Sequence, residues 1–209
     1  MLEAKRVKLE AGGRVLTASL STAVEDGQIL CISGREGSGK SLLLKAFMGL
    51  VPVSDGFVSF DGELLITESA EYFRRMIAYV PQHLSAIYGD DVFSSIVSTL
   101  FSLEVNRQKT ATALRLVSET AANLGLRQGV TEMRWTELTV AERYLLLIIL
   151  AAIQEKSLVL IDEPSAKLSE RDTEHVVTLI SEIARKGAAV VVVSNEIRIA
   201  EVANVNVML

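Results

Sequence analysis

The sequence contains a single cysteine and no apolar run long enough to cross a membrane. Because Cys31 has no second cysteine to pair with, the chain forms no internal disulfide, which suits a reducing cytosol. The longest uncharged apolar run, Tyr144–Ile153, is far shorter than the roughly 20 residues of a membrane span. The formal net charge of −5 argues against a protein that grips nucleic acid by charge alone. We therefore expect a cytoplasmic protein that reaches a membrane only through a partner and has no nucleic-acid partner.

Strand-like and helix-like segments alternate along the chain. Ser157–Ile161 and Ala188–Val193 are continuous apolar runs, typical of strands that are buried on both faces of a parallel sheet. Asp90–Leu126 has apolar residues at helical spacing, and no repeat or long linker interrupts the sequence. The pattern predicts one α/β domain over residues 1–209, with a mainly parallel sheet flanked by helices. A small helical subdomain is expected as an insertion at about residues 84–143.

A glycine-rich segment follows the strand-like run Gln28–Ser33. Residues 34–41, GREGSGKS, match G-x-x-x-x-G-K-[ST] and precede the predicted helix Leu42–Leu50. The glycines let backbone N–H groups approach phosphate oxygens, and the following helix presents its partial positive charge to the anion. Lys40 is expected to reach the β- and γ-phosphates, and Ser41 to offer its hydroxyl to Mg²⁺. The flanking strand and helix favour this interpretation over a plain glycine-rich turn.

Two adjacent acids follow the apolar run Ser157–Ile161. Asp162 is placed to hold Mg²⁺, directly or through water. Glu163, one residue further, is placed to orient and deprotonate an attacking water. Two exposed acids at a strand end are common in proteins, but together with the glycine-rich segment they predict a site that hydrolyses a nucleoside triphosphate.

The segments between these two motifs resemble the ATP-binding cassette (ABC) family. Gln82 stands just past a strand in RRMIAYVPQ, where that family has its Q-loop, and SDGFVSFDGELL is similar to the strand pair before it. Asp-Glu-Pro at 162–164 matches the end of the family's Walker B motif. No N-K-x-D motif is present, which argues against a GTPase. The resemblance covers essentially the whole chain and indicates the nucleotide-binding domain of an ABC transporter.

The resemblance implies the fold, the ligands and the partners of that family. The fold is a P-loop NTPase with an N-terminal antiparallel β subdomain and an inserted helical subdomain. The ligands are ATP and Mg²⁺. The partners are a second cassette, in a homodimer or a heterodimer, and an integral membrane transporter subunit that docks near Gln82–Leu103 on the inner face of the cell membrane. The implied site residues are Glu163, Lys40 and Asn195 for catalysis; Gly34, Arg35, Glu36, Gly37, Ser38, Gly39, Lys40, Ser41, Leu42, Gln82 and Thr139 for the nucleotide; and Ser41, Gln82 and Asp162 for the metal.

The segment LTVAE, Leu138–Glu142, stands in the place of the family signature LSGGQ. In the family this segment begins a helix whose N–H groups, with the serine hydroxyl, close on the γ-phosphate held by the other subunit. Here Val140 and Ala141 replace the two glycines and bring side chains into that gap, whereas Thr139 keeps a hydroxyl. Thr139-x-x-Glu142 is also a capping box ahead of an apolar run. Both interpretations can hold, so we expect a preserved helix with a weakened contact to the neighbour's ATP.

Three other positions depart from the family pattern. The D-loop aspartate falls at Ser169. The switch histidine falls at Asn195, whose amide donates a hydrogen bond but carries no charge and shuttles no proton. The aromatic residue that usually stacks on adenine should lie near Glu10 or Ala11, and neither residue stacks. The groups that bind phosphate and magnesium within one chain are therefore complete, whereas those that complete the neighbour's site or sense the γ-phosphate are altered.

Three functions remain open from the sequence. The first is an ATPase subunit that couples nucleotide-driven dimer closure to a membrane partner, with slow turnover because the signature is altered. The second is a degenerate cassette that binds ATP as a switch or as a regulatory partner of another cassette, without hydrolysis. The third is a non-enzymatic scaffold. The presence of Glu163 beside Asp162 favours the first, because a protein without hydrolysis has no need of that base.

Overall fold

The computed structural model describes residues 1–84, 89–102, 107–164 and 168–209. In chain order the elements are β1 Leu2–Ala11, β2 Arg14–Val24, β3 Ile29–Ser33, α1 Lys40–Phe47, β4 Asp55–Phe60, β5 Glu63–Leu64, α2 Thr67–Arg74, β6 Ile77–Val80, α3 Phe93–Ser102, α4 Arg107–Asn123, α5 Val140–Ile153, β7 Leu158–Asp162, α6 Glu170–Arg185, β8 Ala189–Val193, α7 Ile197–Val202 and β9 Val205–Met208. Short 3₁₀ turns at Val130–Glu132 and Trp135–Glu137 lie between α4 and α5.

The N-terminal strands form an antiparallel sheet with the order β2-β1-β4-β5. Gly12 and Gly13 connect β1 to β2, and both have positive φ angles, +57° and +74°, which glycine adopts without steric cost. The pairing of β1 with β4 is also antiparallel, with Leu2 opposite Phe60. The expected antiparallel β subdomain is confirmed.

The second sheet is entirely parallel and has the order β6-β7-β8-β3-β9. All five residues of β7 and all five of β8 are buried, which explains why both strands are continuous apolar runs in the sequence. Since adjacent residues of a strand face opposite sides of the sheet, this sheet contributes to two cores. Val159 and Ile161 pack against helices α5 and α6, whereas Leu158 and Leu160 pack with α1 and the antiparallel sheet.

The middle of the chain is helical, as the spacing of apolar residues predicts. Helices α3 and α4 and the 3₁₀ turns pack with α5, whose residues from Tyr144 to Ala151 are buried. Trp135 lies at the centre of this region, fully buried and stacked on Phe93 at 6.4 Å between ring centroids. The bounds of a separate helical subdomain at about residues 84–143 remain a prediction. Within the described ranges, no helix combines the length and the apolar character required to cross a bilayer.

Candidate functional site

Most of the predicted site residues meet at one edge of the parallel sheet. Gly34 follows β3, Asp162 ends β7 and Asn195 comes two residues after β8. Gln82 comes two residues after β6. Because these four strands are parallel neighbours, their carboxyl ends lie side by side, which is where open α/β sheets bind ligands.

The glycine-rich segment has the backbone of a phosphate-binding loop. Gly37 and Gly39 have φ angles of +78° and +90°, and these values favour glycine over other residues. A Cβ atom on Gly34 would lie 2.7 Å from the backbone oxygen of Leu209, so no side chain fits there. The Ser38 hydroxyl is buried without a hydrogen-bond partner in the described residues. A buried hydroxyl of this kind usually has a partner, and a phosphate oxygen in the loop would supply one.

Lys40 begins α1 and folds back over the loop. Its Nζ atom donates hydrogen bonds to the carbonyl oxygens of Gly34 at 2.8 Å and Arg35 at 3.1 Å. The same Nζ atom lies 3.4 Å from Oε1 of Glu163. The side chains of Lys40 and Glu163 are only 8% and 14% exposed, so this ion pair is poorly screened by solvent. The contact brings Lys40 of the loop and Glu163, the residue after β7, into one site.

Asp162 is buried at the end of β7 and accepts two hydrogen bonds. Ser41 Oγ donates to Oδ1 at 3.1 Å, and the Tyr79 hydroxyl donates to Oδ2 at 3.4 Å. Burial raises the pKa of the Asp162 carboxyl, and the hydrogen bonds from Ser41 and Tyr79 oppose that rise. Burial and the nearby carboxylate also raise the pKa of Tyr79. Tyr79 carries no motif of its own, so nothing in the sequence predicts its place in the site.

Glu163 has an unusual backbone conformation for its residue type. Its φ angle is +47°, a left-handed value that costs free energy for a residue with a Cβ atom. The Glu163 N–H donates to the Val193 carbonyl oxygen at 2.8 Å, which ties the residue to β8.

Burial, together with the charge of Glu163, raises the pKa of Cys31 to about 11. The buried Cys31 thiol is therefore protonated at neutral pH.

A cleft in front of the loop collects most of the predicted residues. Those lining it are Leu16, Glu36, Gly37, Gly39, Lys40, Ser41, Leu42, Gln82, His83, Glu163 and Asn195. The other predicted residues of this region adjoin the cleft, either as members of the loop or through the hydrogen bonds described above: Gly34, Arg35, Ser38 and Asp162. Leu16 and His83 also line the cleft, although no sequence motif includes them. Nothing in the sequence links Leu16 to the loop, because it approaches from β2, where its Cβ atom lies 3.0 Å from the place of a Cβ atom on Gly39.

Thr139 lies apart from that cleft, at the beginning of α5. It is the N-cap of the helix: its Oγ1 accepts from the Glu142 N–H at 3.2 Å, and Glu142 Oε2 accepts from the Thr139 N–H at 2.8 Å. The capping box read from the sequence is thus present. Thr139 and Val140 are exposed. If this segment contacts a nucleotide, it is that of another molecule.

Glu142 has a partner that the sequence did not reveal. Arg127, from the loop after α4, donates to both carboxylate oxygens, from Nε at 2.5 Å and from Nη2 at 2.7 Å. These hydrogen bonds lower the pKa of the Glu142 carboxyl below its ordinary range, against the effect of partial burial. The acid that replaces the glutamine of the family signature is therefore held inward, in a bidentate ion pair.

The remaining departures from the family pattern have local explanations. Ser169 caps α6, since its Oγ accepts from the Asp172 N–H at 3.2 Å. Residues 165–167, within the predicted D-loop, lie outside the described part of the chain. The Asn195 carboxamide pairs with the backbone of Gly34 in both directions, at 3.0 and 3.1 Å. Glu10 is exposed and forms an ion pair with Lys8 at 3.9 Å, so it offers no apolar face for a base.

The arrangement fits a magnesium nucleotide. Loop glycines with positive φ, a buried lysine and a hydroxyl in need of a partner suit the terminal phosphates. The Ser41 hydroxyl and the Asp162 carboxylate provide the adjacent oxygen ligands that Mg²⁺ prefers. Gln82 lines the same cleft and offers a further amide oxygen.

Comparisons with known proteins agree with this geometry. A family model described as "ABC transporter" matches residues 17–166. An uncharacterised ABC transporter ATP-binding protein of Haemophilus influenzae is 26% identical over 195 residues, which cover 92% of this chain and 73% of that protein. The cytochrome c biogenesis ATP-binding export protein CcmA of Idiomarina loihiensis is 30% identical over 184 residues, covering 84% and 80%.

Solved structures match the fold over the whole chain. The dimeric structure of MJ0796, a bacterial ABC transporter cassette, has a TM-score of 0.85 at 19% identity, covering 100% of this chain and 94% of that one. A dimeric post-hydrolysis state of the same cassette bound to ADP and Pi has a TM-score of 0.81 at 20% identity, with the same coverage. At this level of identity the likeness concerns the fold alone.

Proposed function

Because the chain belongs to the ABC transporter family, we propose that it binds and hydrolyses ATP as the energy-coupling subunit of a transporter complex. The observation that carries this proposal is the meeting of the two motifs: Lys40 Nζ lies 3.4 Å from Glu163 Oε1. The same meeting joins Ser41 to Asp162 at 3.1 Å. These contacts support a single site that combines phosphate binding, a metal position and a carboxylate base.

Each residue has a proposed task in the hydrolysis of ATP. The loop 34–41 cradles the phosphates, with Lys40 offsetting charge on the β- and γ-phosphates. Ser41, Asp162 and Gln82 hold Mg²⁺, which would offset phosphate charge and orient the phosphate oxygens. Glu163 accepts a proton from water as the water oxygen bonds to the γ-phosphorus and the bond to the ADP oxygen breaks. Asn195 donates an amide N–H to the γ-phosphate.

The rate of hydrolysis depends on the proposed contact between two cassettes. Thr139 and the first N–H groups of α5 would face the ATP of the second cassette, and the exposed side chain of Val140 would stand in the way. A homodimer would carry this defect at both sites and turn over slowly. A heterodimer with a cassette that has the family signature would give one better site, formed by Lys40 and Glu163 of this chain.

The proposed partners follow from the relatives. One relative is described as an export protein and others as transport or import ATP-binding proteins, and the neighbouring fold is a dimeric cassette. We extend this to the present chain as a second cassette and an integral membrane subunit, with the chain on the cytoplasmic face of the membrane. No nucleic-acid partner is proposed.

Binding is tested by thermal unfolding with and without Mg·ATP. A ligand at a hundred times its dissociation constant adds about 2.7 kcal/mol to the free energy of unfolding. Wild type should show this gain, and Lys40→Ala should lose it. Lys186→Ala, which removes an exposed lysine at the end of α6, should keep it. An equal gain in Lys40→Ala and wild type would refute the proposed phosphate site.

Hydrolysis is tested by phosphate release from wild type and Glu163→Gln, alone and with a candidate partner cassette. Loss of the base should slow release by about 10²- to 10⁴-fold, while the thermal shift with Mg·ATP persists. Glu201→Gln, at an exposed acid of α7, is the matched control. Equal release from Glu163→Gln and wild type would remove Glu163 from the mechanism. Binding without any release, even with a partner, would identify the nucleotide-dependent switch instead.

A further inference from the structure

Asn195 forms a two-way hydrogen-bonded pair with the backbone of Gly34. The Gly34 N–H donates to Asn195 Oδ1 at 3.0 Å, and Asn195 Nδ2 donates to the Gly34 carbonyl oxygen at 3.1 Å. The two residues are 161 positions apart in sequence, but they follow β8 and β3, which are parallel neighbours. A carboxamide carries a donor and an acceptor on one planar group, so it can satisfy both polar atoms of a single residue.

The same carbonyl oxygen also holds Lys40. Lys40 Nζ donates to the Gly34 oxygen at 2.8 Å, so that oxygen accepts two hydrogen bonds and both of its lone pairs are used. Asn195 thus binds both the N–H and the carbonyl oxygen of Gly34. Lys40 binds the same carbonyl oxygen. Glycine is required at position 34 because a Cβ atom would meet the backbone of Leu209 at 2.7 Å.

We propose that Asn195 is a positioning residue, which acts through Gly34 to hold the beginning of the phosphate-binding loop in its binding conformation. The role rests on the proposed function of the loop, and it adds to the contact proposed between Asn195 and the γ-phosphate. One Nδ2 hydrogen is used by Gly34, and the second can serve the nucleotide. A histidine cannot make this pair, because its two ring nitrogens lie on different edges of the ring.

The two roles of Asn195 predict different responses to ADP. A residue that contacts only the γ-phosphate has no effect on the binding of ADP, which lacks that phosphate. A residue that shapes the loop affects ADP and ATP alike, because the loop binds the phosphates that both nucleotides share. The affinity for Mg·ADP therefore separates positioning from γ-phosphate contact.

The test is calorimetric titration of wild type and Asn195→Ala with Mg·ADP and with Mg·ATP. Loss of the pair should weaken Mg·ADP binding by about 5- to 10-fold, the size of effect of a typical hydrogen bond, and weaken Mg·ATP binding by at least the same factor. Asn195→His should show the same loss toward Mg·ADP. Asn206→Ala is the matched control, because its amide also donates to a backbone oxygen, that of Ala200 at 3.0 Å, away from the cleft.

Hydrogen exchange measures the hydrogen bond between the Gly34 amide and Asn195 directly. The Gly34 amide hydrogen should exchange slowly in wild type without nucleotide and faster in Asn195→Ala. Asn195→Asp keeps the acceptor but loses the donor, so it should retain protection of the Gly34 amide; amide exchange is the measurement for this variant, because its added negative charge opposes phosphate binding by itself. It also serves if the alanine variant does not fold.

The outcomes are separable from those of the proposed function. Unchanged Mg·ADP affinity in Asn195→Ala, with wild type binding normally, overturns the positioning role and leaves the ATP site intact. Equal exchange of the Gly34 amide in the two proteins overturns it as well. A wild type that binds neither nucleotide overturns both the proposed function and this inference.

Discussion

The hydroxyl of Ser41 donates a hydrogen bond to Oδ1 of Asp162 at 3.1 Å, across 121 positions of sequence. Asp162 is almost fully buried, with 2% of its surface exposed, and the hydrogen bond compensates part of the cost of burying a carboxyl group. The pair places a hydroxyl oxygen and a carboxylate oxygen next to each other beside the phosphate loop. This relationship is the physical basis for proposing a metal position there.

The first prediction concerns the metal dependence of hydrolysis. Ser41→Ala removes one of the two adjacent oxygens, so the Mg²⁺ concentration for half-maximal phosphate release should rise by about 10-fold, which corresponds to about 1.4 kcal/mol. The measurement is phosphate release at saturating ATP over a range of Mg²⁺ concentrations. Ser181→Ala is the control, since the Ser181 hydroxyl donates within α6, to the Val177 oxygen at 2.8 Å. An unchanged Mg²⁺ dependence in Ser41→Ala would count against the proposed metal ligand.

The second prediction concerns the effect of pH on the ion pair of Glu142 and Arg127. The pair lowers the pKa of the Glu142 carboxyl from its ordinary value of 4.5. Its stabilisation is therefore present above pH 4.5 and is lost as the pH falls from that value through the pKa of the folded carboxyl. Glu142→Gln should lower the melting temperature at pH 7, and the difference from wild type should shrink as the pH is lowered below 4.5.

The control for this prediction is another acid that pairs with an arginine. Glu182 lies 3.9 Å from Arg185 on the surface of α6, where an exposed pair contributes little. Glu182→Gln should leave the melting temperature close to wild type at every pH. A difference between Glu142→Gln and wild type that stays constant from pH 7 to pH 3 would contradict the assignment of the stabilisation to an ionised Glu142.

The phosphate loop and the acid pair could be predicted from sequence because both are local patterns. The consecutive residues from Gly34 to Ser41 contain the whole loop. The continuous apolar run of β7 predicts a buried strand, and Asp162 lies at its carboxyl end. Helix α2 is not predictable in this way, because its eight residues bury only Ala70 and Phe73, which is too little apolar periodicity to indicate a helix. The predicted helix Leu42–Leu50 is confirmed as an element, but it begins earlier, at Lys40.

Contacts between distant loops could not be predicted in the same way. Arg127 is 15 positions from Glu142, and the pairing depends on how the 3₁₀ turns between α4 and α5 bring the two together. The pairing of Asn195 with Gly34 depends likewise on the conformation of two loops that only the parallel sheet brings side by side. The family pattern points to Asn195, but its hydrogen bonds to Gly34 follow from the conformation of the backbone.

The third prediction concerns the segment in the place of the family signature. Replacing both Val140 and Ala141 by glycine removes the side chains that we propose to stand between α5 and the nucleotide of a second cassette. Phosphate release by the dimer should become several-fold faster, although glycine in a helix costs up to about 1 kcal/mol per position. The measurement is the rate of phosphate release against protein concentration, since the gain requires association.

The control for the glycine variant must carry the same cost in helix stability. Thr67→Gly with Glu68→Gly meets that need, because these exposed residues are also the first two of a helix, α2, and this variant should show no gain in rate. A glycine variant of residues 140 and 141 that is no faster than wild type at any concentration would show that these side chains do not limit turnover.

The fourth prediction concerns Trp135, which links the helical region to the segment after Gln82. Its ring is fully buried, and its Nε1–H donates to the Leu84 carbonyl oxygen at 2.7 Å. Trp135→Phe keeps most of the apolar contact but leaves that oxygen without this donor, and should cost about 1–3 kcal/mol. Trp135→Ala also leaves a cavity and should cost about 3–5 kcal/mol.

Urea unfolding followed by circular dichroism measures both free energies without relying on fluorescence, which is lost with the only tryptophan of the chain. Tyr72→Ala is the control, because Tyr72 is 61% exposed and surface substitutions usually change stability by no more than about 0.5 kcal/mol. If Trp135→Phe is as stable as wild type, the bond to Leu84 contributes nothing and the ring acts by packing alone. If it costs as much as Trp135→Ala, the hydrogen bond rather than the stacking on Phe93 holds this region together.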